Sequence, residues 1–363
     1  MWKLLMLLLL SWIALPAFPA EGGIPRKVTV EQLEQRLSRL QSRRDVKAAN
    51  QIYELELTER MSAARLERAE ANLPGSESRK ALLAVFDESA FLDLPAADLL
   101  HDPEPDSASL TAMLAQTVEY ANKTIAKLPN FFATKEITHF EGTQAATLPS
   151  GMSSTGYESL HEMGISKAEV LYRDGRESVN AEAPRRAGLP PLPPRLNTIG
   201  EFGPILIVTL GDAVKGKIVW SHWEQGAAGP EAVFHYDAPE VASHFAVTIP
   251  DVFGETVHHP AYHGEIAVNP ADGSILRLTM VADLKPDDPV KEADILVEYG
   301  SVEIGGKTYI CPVKSVNLVR FPVAGTYRSY NTSLSFPGFL KTQVNDNSYK
   351  QYHLFRAEIR ILP

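Results

Sequence analysis

Residues 262–320 constrain the chain most, because they read as strand after strand with no segment left over for a long helix. Tyr262, Gly264, Ile266 and Val268 alternate with His263, Glu265 and Ala267, the period of two of a half-buried strand. NPADG at 269–273 is turn chemistry, with proline fixing φ and glycine free to take it positive. Leu276, Leu278, Met280 and Ala282 then fall on one face, opposite Arg277, Thr279 and Asp283. Gly305-Gly306, between VEI and KTYI, signals a two-residue hairpin. The expected product is an antiparallel sheet with one apolar face and one wet face.

The first residues carry a different signal. Met1-Trp2-Lys3 is a short positive segment, residues 4–15 are apolar, and AFPA at 17–20 offers small residues for cleavage. This pattern is that of a secretory signal peptide over residues 1–20, and it places the mature protein in the periplasm or outside the cell. No other apolar run is long enough for a stable membrane span. Cys311 is the only cysteine, so an internal disulfide is ruled out and the fold stands on its core. Within a strand pattern, Cys311 reads as a small buried hydrophobe. A net charge of −10 argues against nucleic acid or anionic membrane surfaces as default partners.

Residues 21–93 are helical in pattern. TVEQ at 29–32 resembles a capping box, and Val30, Leu33, Leu37 and Leu40 form an apolar stripe. Ala49, Ile52 and Leu55 continue the theme, and Leu82, Leu83 and Phe86 follow the Pro74-Gly75 break. These stripes predict helical hairpins burying their faces on one another. An acidic, proline-containing linker is expected at 94–106, and then one helix bearing Leu110, Leu114, Thr117, Val118 and Ala121. The period changes to two from residue 130. Strands are predicted at 131–140, 217–224, 232–236, 244–249 and 350–361, with a hairpin at Asp174-Gly175. Loops are predicted at 142–163 and 184–195, and a turn at Phe336-Pro337-Gly338. FGPILIVTLGDAV at 202–214 fits strand by its β-branched content and a buried helix by its length; helix is preferred.

No complete catalytic motif appears, and no cofactor is implied. His161-Glu162 opens like HExxH, but Ile165 stands where the second histidine belongs. Residues 151–155 depart from G-x-S-x-G at Thr155. His258, His259 and His263 form the one histidine cluster with a metal-ligand look, and its alternative is a polar loop leading into a strand. Trp220, Trp223, Phe234, Tyr236, Phe245 and Tyr262 sit on neighbouring strands. Together they either line a site for a hydrophobic ligand or form the core beneath a covering helix.

The helix ending near Ile125 and running into Phe131, the Asp174-Gly175 hairpin, and GEIAVNPADGSIL at 264–276 resemble the half-barrel of periplasmic lipoprotein carriers and of the regulators that sense mislocalised lipoproteins. GEFGPIL at 200–206, SHWEQG at 221–226, VEIGGKTYICPV at 302–313 and YHLFRAEIRIL at 352–362 are similar to an uncharacterised family of exported bacterial proteins. The resemblance implies an α+β fold: N-terminal helices, then a curved antiparallel sheet over residues 107–363, an open half-barrel with one or two covering helices. It also implies a hydrophobic ligand or acylated partner, with the N-terminal helices free to meet an envelope protein. A metal-dependent hydrolase built on the histidines is the competing expectation.

Overall fold

The computed structural model describes residues 25–145, 158–181, 200–226, 229–251, 254–329 and 332–355. The signal-peptide reading, the proline-rich segment 184–195, the G-x-S-like segment and the strand beyond residue 355 lie outside the described residues.

The chain begins with β1 (Arg26–Val28), α1 (Val30–Leu40), α2 (Asp45–Tyr53), β2 (Leu55–Leu57), α3 (Ala63–Glu70) and α4 (Ser76–Glu88). Thr29 starts α1 as the capping box requires: the Gln32 amide donates to the Thr29 hydroxyl and the Thr29 amide to the Gln32 side chain, both at 3.2 Å. Val30, Leu33, Leu37 and Leu40 are all buried, packed with Ile52, Leu82 and Val85 in a core belonging to these helices. β1 and β2 pair in parallel, a contact too short to leave a period in the sequence.

The second part contains β3 (Leu99–Leu100), α5 (Ser107–Lys127), β4 (Phe131–Ala145), β5 (Glu158–Arg173), β6 (Arg176–Ala181), α6 (Pro204–Lys215), β7 (Lys217–Gln225) and β8 (Pro230–Ala238). It continues with β9 (Val247–Asp251), β10 (Gly254–His258), β11 (Tyr262–Val268), β12 (Ile275–Ala282), β13 (Glu292–Ile304), β14 (Lys307–Ser329) and β15 (Thr332–Leu354). Among the described residues, eleven strands form one sheet in the order β3-β7-β8-β11-β12-β13-β14-β15-β4-β5-β6. Every pairing in it is antiparallel, and the sheet does not close into a barrel. The fold is therefore α+β with an open antiparallel sheet. β9 and β10 make a separate hairpin. Among the described residues, no helix is long and apolar enough to cross a membrane.

Turn chemistry holds where it was legible. Asp174 and Gly175 both take positive φ (51° and 77°), as do Gly305 and Gly306 (62° and 80°), so both hairpins turn through the mirror-image geometry that suits strand twist. Pro204 opens α6 at its first turn, where its missing N–H costs nothing.

Several expectations are corrected. The loop expected over 142–163 is strand at both ends: Gly142 lies so close to β5 that a Cβ would stand 2.9 Å from the Glu158 carbonyl oxygen. Its glycine serves close strand approach rather than a turn. Phe336-Pro337-Gly338 does not turn the chain; Pro337 pairs with Ala324 inside β15, where the register shifts and a bulge tolerates proline. Leu99 and Leu100, expected in a linker, add an edge strand that pairs with Trp223 and Glu224.

The larger correction concerns the wet face. One face of the sheet, here called inner, carries α5 and α6; the N-terminal helices pack on the other. Ala84 and Ala90 meet Phe140, Leu296, Leu318 and Val344 there. Where those helices cover the outer face its charged residues meet opposite charges rather than water, while Asp283 and Lys167 remain exposed. Glu224 accepts from Arg60 at 2.9 Å and from Arg277 at 2.5 Å, with all three side chains nearly buried. Lys314 pairs with Asp87 at 2.8 Å, Arg320 with Glu88 at 3.0 Å, and Lys80 with Glu162 at 2.7 Å. Alternation identified the faces of β12 correctly, but a charged face reads the same whether water or a complementary charged unit covers it.

Candidate functional site

The inner face is assembled from alternate residues of successive strands. Phe234 and Tyr236 of β8, Tyr262 and Ile266 of β11, Leu278 and Met280 of β12, and Val297 and Tyr299 of β13 form one apolar cluster. Ile205, Leu206 and Ala213 of α6 and Ala121 of α5 close over it. All six aromatic candidates belong to this cluster. Tyr262 stacks edge-on against Tyr236 and Phe245, with ring centres 5.9 and 5.6 Å away. Simple alternation places Trp220 and Trp223 on opposite faces, and this too is corrected. A register shift between Trp220 and His222 returns Trp223 to the inner side, 5.0 Å from Trp220. Both indoles are half-buried at the β7 side of the sheet, where the Trp223 N–H donates to the Pro103 carbonyl at 3.1 Å.

Asp212 fastens α6 to this face. Its buried carboxylate accepts from the Tyr262 hydroxyl at 3.0 Å, from the His244 backbone amide at 2.8 Å, and lies 2.7 Å from His244 Nδ1. Burial pushes the Tyr262 hydroxyl far up and the Asp212 charge adds to it, so this tyrosine stays a neutral donor. On the opposite side of α6, Ile207 and Val214 stand exposed (53% and 69%), so the helix is apolar on its outward side as well.

Beyond β13 the inner face is mixed: Phe131, Ala133, Cys311 and Tyr349 form a second apolar cluster with Phe202, and a polar row runs beside it. Register places Ser315 opposite Val297 and Asn347, Asn317 beside Asn345, and Asn345 beside His139, so one polar row crosses β14, β15 and β4. These side chains are buried. His139 Nδ1 lies 2.9 Å from the Asn345 side-chain oxygen and its Nε2 2.7 Å from the Ser166 hydroxyl. At the end of the row the Lys135 ammonium donates to Glu201 at 3.0 Å, with both side chains almost inaccessible. Ser315 donates to Glu201 at 3.3 Å and receives a bond from the Asn347 amide at 2.9 Å. Sequence reasoning missed this row; isolated Asn, Ser and Lys residues at inward positions of long strands were its only trace.

Glu177 sits against the same loop, accepting the backbone amides of Gly200 and Phe202 at 3.0 and 3.2 Å. Burial, and then the nearby Glu201 charge, push its carboxyl up from 4.5 to about 7. A raised carboxyl contributes stability that is complete below about pH 4.5 and is lost as pH rises through 7. The melting temperature is therefore expected to fall by roughly a few degrees between pH 5 and 8, and Glu177→Gln to flatten that fall. Calorimetric scans across this range check it; an unchanged slope in the variant would locate the dependence elsewhere.

The histidine candidates are less gathered. His258 ends β10, His259 follows it, and His263 lies in β11, with Nδ1 2.8 Å from Asp283. The ring near His263 is that of His235, 5.9 Å between centres. Among the described residues, no group of three or more His, Cys, Asp or Glu side chains is placed to hold a metal ion. Cys311 is 1% exposed, and burial pushes its thiol up to about 12.

No family profile and no curated protein matches the sequence. Two solved structures overlay on it. One is a LolA superfamily protein from Nitrosomonas europaea, at 10% identity over 69% of this chain and 96% of that chain, with a TM-score of 0.28. The other is MucB in complex with MucA(peri), at 10% identity over 66% and 93%, with a TM-score of 0.19. At such scores the functional reading rests on the residues themselves.

Proposed function

We propose that this chain is a non-enzymatic, exported binding protein for a hydrophobic ligand or an acylated partner of the bacterial envelope. The observation that carries the reading is the inner face itself, an apolar strip from β8 to β13 with a buried polar row crossing β14, β15 and β4 beside it. An amphiphile needs both: an apolar strip for its chain and hydrogen-bonding groups for its linkage. In this reading Phe234, Tyr236, Phe245 and Tyr262 receive the chain, and Trp220 and Trp223 mark its way in. α6 acts as the lid, because its apolar outward side allows it to shift without burying charge. Asp212 is the catch.

Native mass spectrometry of the mature protein from an exporting host tests this directly. A lipid-sized adduct lost on denaturation is expected, together with quenching of tryptophan emission by a spin-labelled fatty acid. A bare mass with no quenching would sink the reading and favour docking of an envelope protein on the N-terminal helices. Asp212→Asn weakens the three contacts to this charged acceptor, from the Tyr262 hydroxyl, the His244 amide and His244 Nδ1, hydrogen bonds of this kind each being worth about 1.5–3 kcal/mol. It is expected to speed probe uptake at least several-fold in stopped-flow fluorescence, and an unchanged rate would remove α6 as the lid.

A further inference from the structure

We infer that the N-terminal helices carry a separate binding site for a phosphate-bearing ligand, a groove rimmed by Arg26, Arg36, Arg39 and Arg43. The groove has a volume of about 420 Å³, and its lining also includes Gln51 and Glu54. Leu40 and Leu55 form its floor.

Three features separate it from an ordinary solvated surface. The first is convergence: Arg26 comes from β1, Arg36 and Arg39 from α1, Arg43 from the turn after it, and Gln51 from α2. The C-terminal end of α1 accounts for a cation at Arg39, since helix carbonyls favour positive charge there. It does not account for Arg26, which arrives from a different element. The second is the lack of partners. Arg65, on the same helical unit, is pinned by Glu34 and Asp98 at 2.6 Å each, and Arg60 and Arg320 are likewise paired. The four groove arginines have no carboxylate partner among the described residues, in a protein whose net charge is −10. Clustered like charges repel one another, and an anion in the groove relieves that repulsion. The third is size, since the volume falls within the range of small-ligand sites, about 300–1,000 Å³.

Phosphate suits the rim better than a single carboxylate. Guanidinium forks bind its oxygens in pairs, and a monoester carries close to two charges at neutral pH. The apolar floor leaves space for the uncharged part of the same ligand. Either a free phosphate ester or a lipid headgroup supplies this chemistry. The site is independent of the inner face and of the reading given for it.

The test uses the mature protein and its Arg39→Glu/Arg43→Glu variant, with two probes at low salt. Inorganic pyrophosphate is titrated calorimetrically. Vesicles of phosphatidylcholine, with and without 10 mol% phosphatidic acid, are used in co-sedimentation. Both substituted side chains are exposed, so an unchanged melting temperature is expected and separates loss of binding from loss of fold. Pyrophosphate binding weakened at least tenfold in the variant supports a free phosphate ligand. Phosphatidic-acid-dependent sedimentation lost in the variant supports a headgroup. Binding of neither probe, or binding indifferent to the substitutions, overturns the inference. Poly-glutamate binding as tightly as pyrophosphate would also overturn it, in favour of an acidic peptide.

Discussion

Replacing Glu224 with glutamine is expected to destabilise the protein by about 3–5 kcal/mol, because it leaves two buried guanidinium groups facing each other without their shared anion. Arg60 and Arg277 lie 2.9 and 2.5 Å from the Glu224 carboxylate, and among the described residues Arg277 keeps only Glu265, at 3.5 Å, once that charge is gone. Burial alone would push Glu224 up; the guanidinium groups of Arg277 and Arg60 more than reverse this and hold it at about 2. A carboxyl lowered from 4.5 contributes stability present above about pH 4.5 and lost as pH falls toward 2. In the variant this acid-side loss should be gone, because the stability has already been removed at neutral pH. The damage should also be local at first. Arg60 belongs to the N-terminal unit while Glu224 and Arg277 belong to β7 and β12, so α1–α4 are expected to gain hydrogen exchange and proteolytic susceptibility before the sheet does. Denaturant melts and exchange measured together decide it. A loss below about 1 kcal/mol, or exchange rising uniformly, would mean that the apolar contacts around Ala84, Ala90 and Phe140 hold the two parts together without the ion pairs.

This interface also marks the limit of what the sequence revealed. The strands of 262–320, their turns at Gly273 and Gly305-Gly306, and the buried stripe of α1 were legible because each is a local property of period or backbone preference. The helix over 202–214 was legible by length, and it appears as α6. Bulges were not legible, so Trp223 and Pro337 were misplaced: one extra residue reverses the faces that follow, and no residue type announces it. The partner of a charged face was not legible either. Arg277 and Lys314 have the same alternation whether they face water or Asp87 and Glu224, residues distant in sequence. The aromatic cluster was foreseen as a set, whereas the polar row beside it, which gives the inner face its second chemistry, was not.

That polar row leads to the second large effect. Lys135→Met is expected to cost about 3–5 kcal/mol near pH 8, since it takes away the cation 3.0 Å from Glu201 in a place water scarcely reaches. Glu177 lies close enough for its titration to feel the Glu201 charge, so the variant sets two carboxyls near each other without the ammonium. Part of the loss should return at pH 5, where the Glu177 carboxyl is protonated and that repulsion ends. Glu201→Leu alone should be comparably harmful, because it takes the carboxylate away from a buried ammonium and from the Ser315 hydroxyl. The double variant Lys135→Met/Glu201→Leu removes both charges together and is expected to recover most of the stability, as buried pairs replaced by apolar residues of similar volume often do. Its ligand behaviour then separates two roles for the row. If the double variant folds but no longer retains the adduct or shows quenching of its tryptophans, the polar row of the inner face belongs to the binding site. If it binds as the parent does, the pair serves only to seat the 200–203 loop over β14 and β15, and the amphiphile reading contracts to the apolar strip beneath α6.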